Sequence, residues 1–214
     1  MTSVAIIDYG MGNLHSIAKA VEHVAGDTRV VVTADRTEIE RADRVIFPGV
    51  GAIRDCMEEL RRLEFDALIR GLVGQRPLLG VCLGMQALLD FSEENGGTPA
   101  LGLIAGQVRR FPDGFTDSAH GTRLKIPHMG WNQVQQRPHP LWDGIEQDSR
   151  FYFVHSYYAQ PADMASCAGT TDYGLSFVSA LRGEGVFAVQ FHPEKSQHAG
   201  LRLLANFVNW DGQD

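Results

Sequence analysis

The chain has 214 residues, 44% hydrophobic, 21% charged and 9% aromatic, the balance of an ordinary globular protein with room for one domain or two small ones. Lys and Arg number 19 against 26 Asp and Glu, and the net charge of −7 argues against a nucleic-acid binder that works through a basic face. No apolar run approaches the roughly 18 residues of a membrane span, and the N-terminus lacks a signal peptide's basic start and apolar stretch, so a soluble, cytoplasmic protein is expected.

Val4-Ala-Ile-Ile-Asp8 reads as a short buried parallel strand. A glycine loop, Tyr9-Gly-Met-Gly-Asn13, follows, with Asn13 placed to cap a helix that carries Leu14, Ile17, Ala18, Val21, Val24 and Ala25 at helical spacing. Arg29–Thr33 and Arg44–Phe47 are two further strands, the second running into Pro48-Gly-Val-Gly51. A long helix is expected from about Ile53 to Ile69, with Ile53, Cys56, Met57, Leu60, Leu63 and Ala67 on one face. Pro77–Cys82 repeats the buried-strand pattern, with a helix over Leu83–Phe91 behind it. Strands alternating with helices in this way predict a parallel sheet covered on both faces.

The second half is β-rich, with runs at Gly106–Phe111, Phe151–Tyr158, Ser166–Thr171, Leu175–Arg182 and Val186–Phe191. A last amphipathic helix, His198–Asn209, turns Leu201, Leu204, Ala205 and Val208 inward. The polar, glycine-rich stretch Pro112–Thr122 has no periodicity and reads as a mobile loop. No repeat or linker divides the chain. The expected fold is α/β: one domain over residues 1–214, a central, mostly parallel sheet flanked by helices, with a smaller antiparallel extension.

Three cysteines, Cys56, Cys82 and Cys167, have no C-x-x-C spacing and suggest neither a disulfide framework nor a zinc site; no metal and no cofactor is expected. Gly80-Val-Cys82-Leu-Gly84 lies where the fourth strand must turn into a helix. Glycines on both sides permit a sharp bend that lifts the central side chain above the sheet, and the start of the helix favours a thiolate there. The competing reading is a small buried apolar residue. A thiol nucleophile needs a base. His192 follows the apolar run Val186–Val189 in Gln190-Phe-His-Pro-Glu194, and Glu194 is close enough to reach back to the second ring nitrogen. Together these give a nucleophile, a base and an orienting acid for acyl transfer, although His-x-Glu alone is a common accident. Both strands would end at the C-terminal edge of the sheet, where α/β proteins carry their sites. Pro48-Gly-Val-Gly51 ends a third strand there and could turn a backbone N–H into the site as an oxyanion donor, with Leu83 as the other.

These segments carry a resemblance. Pro48-Gly-Val-Gly51, Gly80-Val-Cys-Leu-Gly-Met-Gln86 and Gln190-Phe-His-Pro-Glu194 resemble the three motifs of the class I, triad-type glutamine amidotransferases. Asp8-Tyr-Gly-Met-Gly-Asn-Leu14, Pro127-His-Met-Gly-Trp-Asn132, Tyr152-Phe-Val-His-Ser-Tyr-Tyr158 and His192-Pro-Glu-Lys-Ser196 are similar to segments of the glutaminase subunits of imidazole glycerol phosphate synthase. The resemblance implies Cys82 as nucleophile, His192 as proton carrier and Glu194 as its orienting acid. It implies an oxyanion hole from Val50 or Gly51 with Leu83, and a glutamine pocket with Gly49, Gln86, Glu94, Ser156 and Tyr157. It further implies a separate (β/α)8 cyclase subunit, in a heterodimer, that takes up the ammonia. Tyr9, Met11, Asn13, Trp131, Tyr152 and Lys195 would lie at or near that interface. Since one glutaminase domain uses residues 4–208, the ammonia-consuming synthase is expected on another chain.

Overall fold

A computed structural model describes residues 2–116, 121 and 123–213. In chain order the first half contains β1 (Ser3–Ile7), α1 (Leu14–Val24), β2 (Arg29–Thr33), α2 (Arg36–Arg41), β3 (Arg44–Gly49), α3 (Ile53–Arg62), α4 (Phe65–Leu72), β4 (Leu78–Cys82) and α5 (Leu83–Ala87). The second half contains β5 (Phe91–Ser92), β6 (Thr98–Pro99), β7 (Gly106–Arg110), β8 (His128–Gln133), β9 (Gln135–Gln136), β10 (Arg150–His155), β11 (Tyr157–Pro161), β12 (Cys167–Asp172), β13 (Ser176–Gly183), β14 (Val186–Val189) and α6 (Gln197–Asn209).

The main sheet runs β2-β1-β3-β4-β14-β13-β11-β7-β5-β6. Its first five strands are parallel, and β14 joins β4 in parallel with Val189 opposite Val81. The sheet turns antiparallel from β14 onward, through β13, β11 and β7, so the expected extension continues the same sheet. β8 and β10 form a separate antiparallel ribbon. β1 shows why its run is apolar without alternation: Ala5 and Ile7 face one core cluster, with α2 to α5, while Val4 and Ile6 face the other, with α1 and α6. Among the described residues, no helix is long and apolar enough to cross a membrane.

Several elements differ from expectation, each for a tertiary reason. The long helix over 53–69 is two helices, broken where Glu64 takes a left-handed conformation, φ 57°. An unbroken helix would have carried the line of Leu60 on to Glu64 and Ala67. The break rotates Phe65, Leu68, Ile69 and Leu72 inward instead, leaving Ala67 exposed and Leu63 half-buried. The helix after Cys82 stops at Ala87, because the carbonyls of Leu88 and Leu89 are taken by the N–H groups of Gly102, Leu103 and Ile104. In α6 the buried positions are Gly200, Leu203, Leu204, Phe207 and Val208, so bulky Leu203 and Phe207 displace Leu201 and Ala205 from the inward face. Asn13 does stand at the N-terminus of α1, but its side chain makes no capping hydrogen bond. The run Phe151–Tyr158 is two strands in different sheets, divided at Ser156. Of the loop expected over Pro112–Thr122, residues 117–120 and 122 lie outside the described residues. Beside them, Thr116 is bridged to Arg123 and Phe115 is stacked on Phe111 at 5.8 Å.

Candidate active site

The C-terminal edge of the parallel strands brings the three glycine- and histidine-containing motifs together. Cys82 ends β4, and Gly49, at the end of β3, is its register partner. Cys82 adopts φ 54°, ψ −108°, a conformation that an L-residue holds only when its surroundings enforce it. Gly84 is the enforcement: a Cβ there would collide with the Phe47 carbonyl, so α5 approaches β3 more closely than any side chain allows. Gly49 is hemmed in likewise, since its Cβ would stand 2.5 Å from the Tyr9 hydroxyl and 2.9 Å from Leu83 Cβ. Beyond it Val50 is 40% exposed and Gly51 has φ 99°.

His192 leaves the end of β14 on the neighbouring strand. Its Nδ1 lies 2.8 Å from Glu194 Oε1, with both side chains almost completely buried. Its Nε2 has no partner of standard hydrogen-bond geometry and meets the Cys82 sulfur. Burial pushes the imidazole pKa down, but Cys82 and Glu194 outweigh it and raise it to about 10, favouring the imidazolium. The backbone behind the ring is closed into a loop of hydrogen bonds. His192 N–H donates to the Tyr152 carbonyl (2.9 Å), Tyr152 N–H to Ser196 Oγ (3.0 Å), and Ser196 Oγ–H to the His192 carbonyl (2.6 Å).

A cavity of about 350 Å³ opens over the sulfur, lined by Val50, Gly51, Cys82, Leu83, Gln86, Glu94, Ser156, Tyr157 and His192 with Pro127, Val154 and His155. Gln86, one helical turn beyond Cys82, donates from Nε2 to the Tyr157 carbonyl (3.1 Å) and to Gln190 Oε1 (2.9 Å). With both amide protons committed to acceptors, Gln86 has only its carbonyl oxygen left to offer a ligand. Gln190 in turn donates from Nε2 to Cys82 Sγ at 3.7 Å. Glu94 accepts from the Ile53 N–H at 2.8 Å, tying the cavity wall to the first turn of α3. A larger cavity, about 960 Å³, lies elsewhere, between residues 136–147 and the end of α6, and holds none of these groups.

A buried thiol, an imidazole oriented by a carboxylate and a small cavity walled by an amide and a carboxylate form a constellation for amide-to-thioester transfer. The family model for class-I glutamine amidotransferases matches residues 5–210. The imidazole glycerol phosphate synthase subunit HisH of Methylococcus capsulatus is 60% identical over 213 residues, covering 99% of this chain and 98% of that protein. The subunit of the same name from Nitrosococcus oceani is 58% identical, covering 99% of each. The chain belongs to the class-I glutamine amidotransferases, in their HisH branch. A crystal structure of a glutamine amidotransferase matches at TM-score 0.71 and 18% identity over 97% of this chain and 99% of that one, a likeness of fold.

In this amidotransferase the residues expected at a partner interface separate into two groups. Trp131 and Tyr152 are cross-strand partners on the β8–β10 ribbon, their rings 6.1 Å apart, and Lys195 Nζ stands 5.8 Å from the Tyr152 ring centre. Met11 and Asn13 lie beside the Pro48–Gly51 segment instead, Met11 at Gly51 and Asn13 in a small void with Gly49, Val50, His192 and Glu194. Tyr9, expected at or near the same interface, has its side chain turned into the core. It is 1% exposed, tilted against Phe47 at 5.5 Å, and its hydroxyl accepts from Cys56 Sγ at 3.6 Å. Sequence reasoning did not single out Gln190 or Ser196 for a role, although both lie inside motifs it quoted; only their hydrogen bonds reveal what they hold.

Proposed function

We propose that the chain is the glutaminase subunit of an imidazole glycerol phosphate synthase in histidine biosynthesis, acting as one domain over residues 1–214 in the cytoplasm. The observation that supports this most is the Cys82–His192–Glu194 alignment on adjacent parallel strands, beneath a cavity whose wall presents Gln86 and Glu94. Cys82 attacks the side-chain amide carbon of glutamine. The oxyanion is met by backbone N–H groups of Leu83 and of Val50 or Gly51. His192 gives its proton to the leaving nitrogen, ammonia departs, and a γ-glutamyl thioester remains on Cys82. A water molecule, deprotonated by His192, then hydrolyses the thioester to glutamate and restores the thiol. Glu94 and the Gln86 carbonyl suit the substrate's ammonium group, while Gly49, Ser156 and Tyr157 complete the pocket. Neither nucleic acid nor membrane has a part in this reading.

Ammonia released into water becomes protonated and loses its nucleophilicity, so it has to pass directly to an acceptor site. The partner in this reading is a (β/α)8 cyclase subunit in a heterodimer. It would dock on the face carrying Trp131, Tyr152 and Lys195, next to Met11 and Asn13. It uses the ammonia to make imidazole glycerol phosphate and aminoimidazole carboxamide ribotide. Glutamate release from glutamine is the test, measured with the chain alone and with the cyclase and its nucleotide ligand. Weak activity alone and strong stimulation by the ligand-bound cyclase are expected. Stimulation by an unrelated synthase, or none by the cyclase, would overturn the proposal.

A further inference from the structure

At the cavity wall and just behind it, two buried histidines, His155 and His128, are joined in a hydrogen-bonded chain that the reaction scheme does not use. His155 Nδ1 lies 2.7 Å from the Tyr157 carbonyl, the same oxygen that accepts from Gln86. A carbonyl only accepts, so Nδ1 of His155 carries the proton and its Nε2 is an acceptor. His128 Nδ1 stands 2.9 Å from that Nε2 and must therefore be the donor. His128 Nε2 is then an acceptor, and the Asn132 amide nitrogen faces it at 3.3 Å. The orientation of Asn132 is fixed independently: Nδ2 also donates to the Asp172 carbonyl at 2.8 Å, and Oδ1 accepts from the Gln133 N–H at 2.8 Å. Every proton in the chain is assigned by its partner, and both rings are neutral with the proton on Nδ1.

The surroundings suit neutral rings. His128 is sandwiched between Phe153 (4.8 Å) and Tyr173 (4.0 Å), and His155 packs against Phe111 and Phe177. Burial pushes the imidazole pKa of His128 down to about 4 and of His155 down to about 3. From the Tyr157 oxygen the polar chain continues through Gln86 and Gln190 to the Cys82 sulfur. Thus the Tyr157 carbonyl accepts from two side chains at once, His155 Nδ1–H and Gln86 Nε2–H.

We propose that His155, backed by His128, is a positioning residue of the glutaminase reaction, holding the Tyr157 carbonyl on which Gln86 and, through Gln190, Cys82 are registered. The inference rests on the glutaminase reading above, and two substitutions separate positioning from mere packing. His155→Asn keeps a donor where Nδ1 was and loses the acceptor for His128; His155→Gln keeps a group at the Nε2 position and loses the donor to Tyr157. In the complex with the cyclase, His155→Gln should raise the KM for glutamine about tenfold, the worth of one lost hydrogen bond, with kcat changed by no more than about twofold. His155→Asn should stay within about twofold of the wild-type KM even if it lowers the melting temperature as much. Equal KM values for the two variants would overturn the proposal. A second readout needs no activity: long-range nitrogen–proton spectra of the wild-type chain at neutral pH should show both rings protonated on Nδ1 only. An Nε2–H or a charged ring at either position would also overturn it. Failure of the wild-type complex to hydrolyse glutamine would instead strike the glutaminase reading and leave the spectroscopic test standing.

Discussion

Cys82 is placed where the other two cysteines are not. All three are free and buried, yet burial pushes the Cys56 thiol up to about 12 and the Cys167 thiol upward as well, so both stay protonated and inert. Only Cys82 meets an imidazole and opens onto a cavity. The native chain should therefore take up one equivalent of a thiol-alkylating reagent, and Cys82→Ala none. The same substitution should abolish glutamine hydrolysis while leaving ammonia-driven cyclisation by the complex intact. Glutamine turnover surviving in Cys82→Ala would mean the nucleophile is elsewhere. At this scale the sequence was highly legible. Gly80, Cys82 and Gly84 are spaced for a bend that needs small flanking residues, and His192 and Glu194 are two apart on a strand exit. Tyr9 was not legible, because its position in a glycine loop gives no sign that the ring folds back beneath β3.

Among the elements, the β8–β10 ribbon matters more than its two strands suggest. Its outer face carries Trp131 and Tyr152, and its backbone holds the turn that presents His192. Ser196 is the joint, accepting from Tyr152 N–H and donating to the His192 carbonyl while 1% exposed. Ser196→Ala leaves a buried N–H without its acceptor, which costs about 1–3 kcal/mol of stability in a urea titration. It should also lower kcat more than it raises KM, since what loosens is the base and not the pocket; an unaltered kcat would detach the ribbon from the reaction. Periodicity found most strands and the start of each long helix. It missed α2, although Asp35 caps it by accepting from Thr37 N–H at 2.8 Å, a signal present in Asp-Arg-Thr-Glu. It also ran α3 into α4, because no proline or glycine marks the break at Glu64. That break pays off only through contacts made by Phe65, Leu68, Ile69 and Leu72 with the rest of the core.

Across the whole molecule, the histidine pair gives folding stability a defined pH dependence. In the unfolded chain each imidazole titrates near 6.5, whereas in the native state His128 and His155 resist protonation down to about 4 and about 3. Below pH 6.5 the unfolded state therefore binds two protons that the native state refuses. Their contribution is fully present above 6.5 and is lost as pH falls toward 4, by up to about 2.7 kcal/mol per pH unit. His192, with its raised pKa, works the other way near pH 7, where the native state holds a proton that the unfolded chain mostly lacks, and its slope fades once both states are protonated well below the usual imidazole value. Urea midpoints should fall steadily from about pH 6 to about pH 5. A flat or rising midpoint over that range would show that the pair is not held neutral.

What the sequence determined by itself was local: apolar runs without alternation for strands buried on both faces, glycine-flanked turns at their ends, and the residue types that acyl transfer requires. Those features follow from backbone sterics and side-chain chemistry over a few neighbouring residues, and they were enough to delimit the parallel half of the sheet and the three motifs. Tertiary structure alone decided which strands are neighbours, and so that Gly49, Cys82 and His192 meet at one edge although 33 and 110 positions apart (82 − 49 and 192 − 82). It alone decided the tautomers of His128 and His155, because a proton's place on an imidazole is set by the groups that face it in space, and the two rings that face each other lie 27 residues apart.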